Sequence, residues 1–270
     1  MRMRAFRAVA GLLPIVGLLL GCGSGGSNAS NPISPSGSID QAAMPTSPFG
    51  ASWEFNGQTW RAIGTPPACP FPLTFITPIN LARVTSVLYP GNIRSGDYRP
   101  HGGFRLDGPG ETGAISVVAP MASTVYRAAR YLVNGEVQHM FDFINACGIL
   151  HRLDHLRDLS PRFQQIAASL PPAAEVDSRT TLVAPGQTVS AGETIATSVG
   201  FLSGNVFVDW GVYDLRTQNE SSANPSWLAQ HPGEFAAYAI CWFDNLSPGD
   251  SARVRSLPPS GGQGASDYCF

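Results

Sequence analysis

Residues 206–213 read Val-Phe-Val-Asp-Trp-Gly-Val-Tyr, an almost continuous run of β-branched and aromatic side chains. Such a run is typical of a β-strand that is buried within a sheet. A single carboxylate, Asp209, interrupts the run. Because a buried carboxylate must be ion-paired, hydrogen-bonded or bound to a metal, this stretch predicts both a sheet and a polar site on it.

Three more segments have strand patterns. Residues 114–119 are rich in β-branched side chains and end before Pro120, and residues 137–144 alternate with the period of two that a strand requires. Residues 148–153 follow the stretch Asn145–Gly148, whose composition is typical of a hairpin turn. The predicted fold class is therefore mostly β, an antiparallel β-sheet domain with one or two short helices.

One helix is well marked. It begins at Ser160, which suits a helix cap, and Pro161, which suits the first turn, and it stops before Pro171-Pro172. The apolar residues between these points recur at helical spacing: Phe163, Ile166, Ala167 and Leu170. A second short helix is predicted near residues 226–230, and residues 80–88 fit either a helix or a strand.

The N-terminal residues 1–21 have the pattern of a secretory signal. Arginines at positions 2, 4 and 7 precede an apolar stretch over residues 8–20. The following Leu19-Leu20-Gly21-Cys22 resembles the lipobox of bacterial lipoproteins, which implies cleavage before Cys22 and lipidation of its thiol. An ordinary cleaved signal that contains a cysteine is the alternative.

Residues 22–48 are rich in Gly, Ser, Asn and Pro and predict a flexible linker, and residues 49–270 are long enough for one sizeable core. We therefore expect an exported protein that is held to the cell membrane by its N-terminal lipid. Gly23 stands where an Asp often retains lipoproteins in the inner membrane, so we expect the outer membrane if the cell has two membranes.

The charge balance argues against nucleic acid as a partner. The chain has 17 Lys and Arg against 19 Asp and Glu, a formal net charge of −2, and no basic patch of the kind that binds phosphate backbones. No apolar run after the signal is long enough to span a bilayer.

Four cysteines follow Cys22, at positions 69, 147, 241 and 269. An even number in an exported protein indicates disulfides, with three pairings open. We favour Cys241–Cys269, because it would tie down a C-terminal tail that contains Pro258-Pro259-Ser260-Gly261-Gly262. Cys69 and Cys147 either pair with each other or stay as thiols.

Four segments occur in an order that resembles a known family. They are YPGNIR at 89–94 with PHGGFRLD at 100–107, VVAPMASTV at 117–125, LDHL at 153–156, and VAPGQTVSAGETIA at 183–196 followed by the Asp209 strand. Together they resemble the lysostaphin/LytM-type metallopeptidases, which cleave peptide cross-bridges in peptidoglycan. The resemblance covers about residues 84–213 and implies an antiparallel β fold with a groove and a zinc ion on its floor.

The resemblance implies a set of site residues. In the family, an H-x-x-x-D motif supplies two zinc ligands, a later H-x-H supplies a catalytic His and the third ligand, and another catalytic His precedes a leucine. His101 matches the first ligand and His155 the catalytic His before leucine. Asp209 stands at the position of the third ligand.

Two positions depart from the family pattern. Arg105 stands four residues after His101, where the carboxylate ligand is expected, so Asp107 would have to substitute for it. Phe207 stands where H-x-H has its catalytic His. An Arg105–Asp209 ion pair that replaces the metal is therefore an alternative to a site of His101, Asp107 and Asp209.

Three hypotheses for function follow. In the first, the domain binds peptidoglycan or an envelope protein in the groove without hydrolysis. In the second, it is an active metal-dependent endopeptidase with the ligands His101, Asp107 and Asp209, assisted by His155. In the third, it is a structural envelope lipoprotein, with His101 and Asp107 serving as ordinary turn residues.

Overall fold

An antiparallel sheet of seven strands carries the Asp209 strand and organises the chain. The computed structural model describes residues 51–260 and 265–270. The predicted signal of residues 1–21, the lipidation site Cys22 and the linker of residues 22–48 lie outside the described residues.

The described part of the chain contains thirteen strands, three α-helices and four 3-10 helices. The strands are β1 (Ala51–Phe55), β2 (Trp60–Gly64), β3 (Ser86–Leu88), β4 (Asn92–Arg94), β5 (Asp97–Arg99), β6 (Gly102–Arg105), β7 (Val117–Val118), β8 (Ser123–Val133), β9 (Glu136–Ile144), β10 (Ile149–Leu156), β11 (Thr181–Val189), β12 (Thr194–Ala196) and β13 (Phe207–Asp214). The α-helices are α1 (Pro161–Ala168), α2 (Pro225–Gln230) and α3 (Pro248–Arg255), and the 3-10 helices are Leu81–Arg83, Glu220–Ala223, Ala236–Tyr238 and Trp242–Asn245.

The large sheet has the strand order β11-β8-β9-β10-β13-β6-β3, and every neighbouring pair is antiparallel. Strands β1 and β2, β4 and β5, and β7 and β12 form three separate two-stranded sheets. The predicted fold class, mostly β with antiparallel sheets and few helices, is confirmed.

Most of the predicted elements are present. The turn at residues 145–148 joins β9 to β10, and the helices predicted near residues 160–170 and 226–230 are α1 and α2. The strand predicted at 114–119 shortens to β7, and residues 80–88 divide into a 3-10 turn and β3. Helix α3 was not predicted. None of the described helices is long and apolar enough to cross a membrane.

One face of the large sheet packs into an apolar core. The indole of Trp210 on β13 stacks near Phe104 of β6 and lies 4.4 Å from the ring of Trp242. On β9, the rings of Phe141 and Phe143 meet Phe163 of α1. These fully buried aromatic side chains supply much of the apolar area that leaves water on folding.

The opposite face of the sheet carries polar and charged side chains, and part of it is also buried. Asp142 on β9 is fully buried and accepts hydrogen bonds from Arg127 and Arg152 on the two neighbouring strands. Arg127 also donates to Glu234 at 2.8 Å. We call these four residues the Asp142 cluster; because they are covered, β9 is buried on both faces instead of one.

Two disulfides are present. Cys241–Cys269 is formed as predicted, and Cys69 pairs with Cys147. The tail that Cys269 anchors packs against the β4–β5 hairpin: the Asp267 amide donates to the Gly91 carbonyl at 2.8 Å, and the Tyr98 hydroxyl lies 2.9 Å from a carboxylate oxygen of Asp267. Gly91 has a φ of +73°, and a Cβ there would lie 2.6 Å from the Tyr268 ring.

We predict that removing the Cys241–Cys269 bond with the double substitution Cys241→Ser and Cys269→Ser lowers the free energy of unfolding by about 3 kcal/mol. The bond closes a loop with a sequence separation of 28 residues and so restricts the unfolded chain. Denaturant unfolding of both proteins measures the difference. An unfolding midpoint equal to that of the parent protein would contradict the prediction.

A second prediction concerns His151, whose ring lies 5.2 Å from that of Phe75 in the core. Neither ring nitrogen has a hydrogen-bond partner among the described residues, and burial lowers the pKa of His151 from 6.5 to about 3. The unfolded chain therefore binds a proton that the folded chain does not. The contribution of the neutral His151 ring to the free energy of unfolding is fully present above pH 6.5 and is lost as the pH drops toward 3. The loss is at most about 1.4 kcal/mol per pH unit.

The substitution His151→Phe tests this, because it keeps an aromatic ring beside Phe75 and removes the titrating group. We expect the free energy of unfolding of the variant to fall less steeply with decreasing pH than that of the parent. The difference between the two slopes should correspond to the uptake of up to one proton on unfolding. Parallel slopes between about pH 7 and about pH 4 would show that His151 is protonated in the folded protein.

Candidate functional site

A cleft of about 370 Å³ lies on the polar face of the large sheet. Its floor is formed by neighbouring strands: β10 supplies Asp154 and His155, β13 supplies Phe207 and Asp209, and His101 precedes β6. Asp154 pairs with Asp209 in the β10–β13 register, and Asp209 pairs with Gly103 in the β13–β6 register. The register therefore brings together residues that are up to about a hundred positions apart in the sequence.

Two walls stand on opposite sides of this floor. The β4–β5 hairpin, which follows the edge strand β3, supplies Arg94, Ser95 and Arg99. The loop between α1 and β11 supplies Val176 and Ser178. This loop is fastened to β8, because the Val176 amide donates to the carbonyl of Leu132 at 2.8 Å.

The floor is centred on a hydrogen bond between His101 and Asp209. The distance from His101 Nε2 to Asp209 Oδ2 is 3.0 Å. Because an ionised carboxylate only accepts, Nε2 carries the proton in this bond. Arg94 Nη2 lies 3.9 Å from the other carboxylate oxygen, Oδ1, and His155 Nε2 lies 3.8 Å from Oδ2.

The charges of this group follow from its burial. Burial by itself would raise the pKa of Asp209, but His101, through its charge when protonated and through its hydrogen bond, lowers it most. The charge of Arg94 adds to this, so that the pKa of Asp209 is held well below its ordinary value. Burial lowers the pKa of His101, and the neighbouring Asp209 carboxylate opposes this without cancelling it. Near neutral pH, an ionised carboxylate therefore faces a neutral imidazole and a guanidinium.

The second carboxylate of the floor, Asp154, has its own donors. The Tyr131 hydroxyl donates to Asp154 Oδ1 at 2.5 Å, and the His155 amide donates to the same oxygen at 2.7 Å. His155 interrupts the regular strand with a φ of +62°, and its ring lies 4.2 Å from that of Phe207. The His155 imidazole therefore lies against an aromatic ring at the margin of the polar group.

Arg105 and Asp107 are placed differently from the predicted arrangement. Arg105 does not pair with Asp209: its Nη2 lies 2.8 Å from Asp107 Oδ1 and its Nε 3.1 Å from both Asp107 oxygens. The reason is the strand register, since Arg105 lies opposite Phe207 while Asp209 lies opposite Gly103. Asp107, which is beyond the end of β6, is thereby turned away from His101 and does not line the cleft.

The two glycines after His101 allow β6 to fit between its neighbours. A Cβ at position 102 would lie 2.4 Å from the Leu88 carbonyl oxygen, and one at position 103 would lie 2.3 Å from that of Val208. Any side chain larger than hydrogen would therefore push β6 away from β3 or β13. The glycines hold His101 within hydrogen-bond distance of Asp209.

Strained backbone is concentrated around the cleft. Among the described residues, four non-glycine residues have a positive φ: Ser95, Asn134, His155 and Val176. Asn134 lies in the β8–β9 turn, where such a conformation is expected, but the other three line the cleft. For the β-branched Val176, 78% exposed, the conformation is especially costly. Strain of this kind is typical of functional sites.

These donors do not complete the zinc site that the resemblance implies. Such a site needs three protein ligands and an open position, and His101 and Asp209 converge while Asp107 is paired with Arg105. Among residues 51–260 and 265–270, no group of three or more His, Cys, Asp or Glu side chains is placed to hold a metal ion. Zinc binding stays a prediction of the resemblance, and we derive no chemical step through a metal.

A larger cleft, of about 660 Å³, lies near the two disulfides and includes Asp214 and Asp244. Two of its carboxylates are ion-paired, Asp214 with Arg216 and Asp244 with Arg255. His101, His155 and Asp209, which the sequence singles out, line the smaller cleft and not this one. The smaller cleft is the candidate functional site.

Sequence reasoning missed four contributors to the cleft. Arg94 and Asp154 lie inside the motifs YPGNIR and LDHL, but the family pattern implies no role for either residue. Arg99 and Tyr131 lie outside these motifs and have no local signal. Tyr131 reaches Asp154 only because β8 and β10 both flank β9, an arrangement that the sequence pattern does not specify.

Comparison with known proteins finds no relative of this chain. No protein-family model matches it, no curated protein matches it, and no solved structure matches it. The likeness to the lysostaphin/LytM-type enzymes therefore rests on the sequence motifs alone. Function has to be argued from the chemistry of the cleft.

We predict that Asp209→Asn lowers the pKa of His101 further. The Asp209 carboxylate is the main influence that favours the protonated imidazole, and burial is the main influence against it. Removing the negative charge leaves burial unopposed, so the ring stays neutral to a lower pH. Histidine ring NMR signals followed during a pH titration measure the change.

His231 is the matched control, because its ring stacks on Tyr98, at 3.7 Å, and makes no contact with Asp209. We expect the chemical shifts of its ring to be the same in both proteins. A rise in the pKa of His101 in the variant would show that the Asp209 carboxylate does not stabilise the protonated imidazole.

Proposed function

We propose that this protein is a lipid-anchored protein of the cell envelope whose cleft binds the peptide part of peptidoglycan without cleaving it. The observation that carries the proposal is the distribution of charge in the cleft. Two of its arginines, Arg99 and Arg105, are more exposed than the Asp209 carboxylate on its floor. The peptides of peptidoglycan are short, polar and rich in carboxylates, and such groups suit this surface.

Side-chain exposure supports this view. Arg99 is 41% exposed and Arg105 25% exposed, whereas Asp209 is 11% exposed. Arg99 and Arg105 have acidic partners, Asp97 and Asp107, outside the cleft, so their guanidinium groups are positioned rather than free to rotate. Arginine forms paired hydrogen bonds with carboxylates, which makes an arginine-lined cleft a suitable receptor for them.

Two features argue that binding is not followed by hydrolysis. A zinc peptidase needs a complete ligand set and a group that handles protons at the scissile bond. Here Arg105 and Phe207 occupy motif positions that would carry a ligand and a catalytic His, and Asp107 faces Arg105. Two pairs of polar groups on the floor are already hydrogen-bonded to each other, His101 with Asp209 and Tyr131 with Asp154.

The predicted N-terminal anchor is consistent with this function. A lipid on Cys22 and a flexible linker over residues 22–48 would keep the domain at a root-mean-square distance of roughly 25–30 Å from its anchor in the membrane. Peptidoglycan lies beside the membranes of the bacterial envelope. The anchored domain would therefore lie close to peptidoglycan.

A second candidate is the active metal-dependent endopeptidase. It is favoured by one observation, that His101, His155 and Asp209 have polar atoms within 4 Å of a common point near Asp209 Oδ2. Metal analysis of the purified protein, with and without His101→Ala, tests it. Stoichiometric zinc that is lost in the variant would favour this candidate over a binding protein.

We predict that the Cys22→Ser protein, which cannot be lipidated, is retained by purified peptidoglycan, and that Arg99→Glu weakens this retention at least about tenfold. Losing a charge-assisted hydrogen bond and adding a repulsive charge costs on the order of 1.5–3 kcal/mol. Co-sedimentation at several salt concentrations measures the affinity, which should fall as salt screens the charges.

Arg61→Glu is the matched control. It makes the same change of charge on β2, at a residue that is 60% exposed and outside the cleft, and retention should be unchanged. Retention no better than that of an unrelated protein would favour a structural lipoprotein without a ligand. Release of soluble peptide fragments from the peptidoglycan would contradict the non-hydrolytic part of the proposal.

A further inference from the structure

The two walls of the cleft define its direction. The β4–β5 hairpin stands on the β3–β6 side of the sheet, and the Val176 loop stands on the β8 side. Between them the cleft runs along β10 and β13. Its open end is where β8 and β6 end, at Val133 and Arg105, and where β13 begins, at Phe207.

The other end of the cleft is closed by Tyr213. Alternation along β13 places Asp209, Gly211 and Tyr213 on the same face. The Tyr213 side chain folds back over Gly211, since a Cβ at position 211 would lie only 2.4 Å from the Tyr213 hydroxyl oxygen. The Tyr213 ring therefore covers the floor at Gly211, two residues beyond Asp209.

The C-terminal part of the chain holds Tyr213 in this position. The Phe235 ring stacks on the Tyr213 ring at 4.3 Å, and the guanidinium of Arg152 lies 4.6 Å from the Phe235 ring. Glu234 fastens this segment to the sheet through its hydrogen bonds to Arg127. As a result Tyr213 has no exposed surface, and the segment over the Asp142 cluster is a fixed wall rather than a loose flap.

The chemistry next to this wall suits an anion. Arg94 lies at this end of the floor beside Asp209, and His101 has already satisfied one oxygen of that carboxylate. The Tyr213 hydroxyl is buried and does not line the cleft, so Arg94 is the donor at this end. A guanidinium at the closed end of an arginine-lined cleft is a suitable donor for a terminal carboxylate.

We propose that the cleft accepts the carboxylate end of a peptide and excludes a chain that continues past it, because Tyr213 and Phe235 close its inner end. This inference rests on the proposed function and adds the part of the peptide that is recognised. A peptide whose terminal carboxylate is free would reach Arg94. A cross-linked or extended peptide would meet the wall before its carboxylate groups reached the floor.

Binding of three synthetic peptides to the Cys22→Ser protein, with no substitution in the cleft, tests the inference without disturbing the fold. The first is a peptidoglycan stem peptide with a free C-terminal carboxylate, the second is the same peptide with a C-terminal carboxamide, and the third is extended by two glycines. We expect calorimetry to show that amidation and extension each weaken binding at least about tenfold, the loss of one charge-assisted contact.

Phe235→Ala provides an independent test of the wall. Removing the ring that supports Tyr213 should narrow the difference in affinity between the free-end and the extended peptide. Phe71→Ala is the matched control, because Phe71 is fully exposed and belongs to the larger cleft. If Phe235→Ala does not fold, the comparison of the three peptides still decides the inference.

The outcomes separate this inference from the proposed function. If peptidoglycan retains the protein and the extended peptide binds within twofold of the free-end peptide, the function stands and the closed end is wrong. If neither peptidoglycan nor any of the peptides binds, both proposals fail together. Selective binding of the free-end peptide supports both.

Discussion

Two carboxylates, Asp154 and Asp209, lie opposite each other on the adjacent strands β10 and β13, and the arrangement around the cleft follows from this constraint. Like charges in directly opposed positions repel, and burial adds the cost of lost hydration. Each carboxylate therefore has its own donor: Tyr131 for Asp154 and His101 for Asp209, with the charge of Arg94 nearby. The groups that compensate the floor are also groups that a ligand would meet.

Placement of Arg94 depends on contacts that are distant in the sequence. The hairpin that carries it is held by the C-terminal tail, through the hydrogen bonds of Asp267 to Gly91 and Tyr98. The tail is itself fixed by the disulfide of Cys269. A covalent bond near the end of the chain thus contributes to the electrostatics of a cleft on the sheet, and folding of the tail is coupled to formation of the site.

The same face of the sheet carries two polar groups with different surroundings. The ring of Phe235 lies against the two arginines of the Asp142 cluster, and the charges of the cluster are satisfied by one another. The floor around Asp209 is left partly open, with strained residues at its margin. Covered charges of the first kind are occupied with one another, whereas an open polar floor with strained walls is typical of a binding site.

The sequence by itself determined the fold class, the two helices α1 and α2, the Cys241–Cys269 bond and the position of a carboxylate in a buried strand, because these follow from local periodicity, capping and composition. The resemblance of its motifs to the lysostaphin/LytM-type family further implied that His101 and His155 belong with Asp209. Only the tertiary structure decided that Arg105 faces Asp107, since the pairing depends on strand register, and that Tyr131 and Arg94 complete the floor. Register and wall contacts are set by packing between distant segments, which no local pattern encodes.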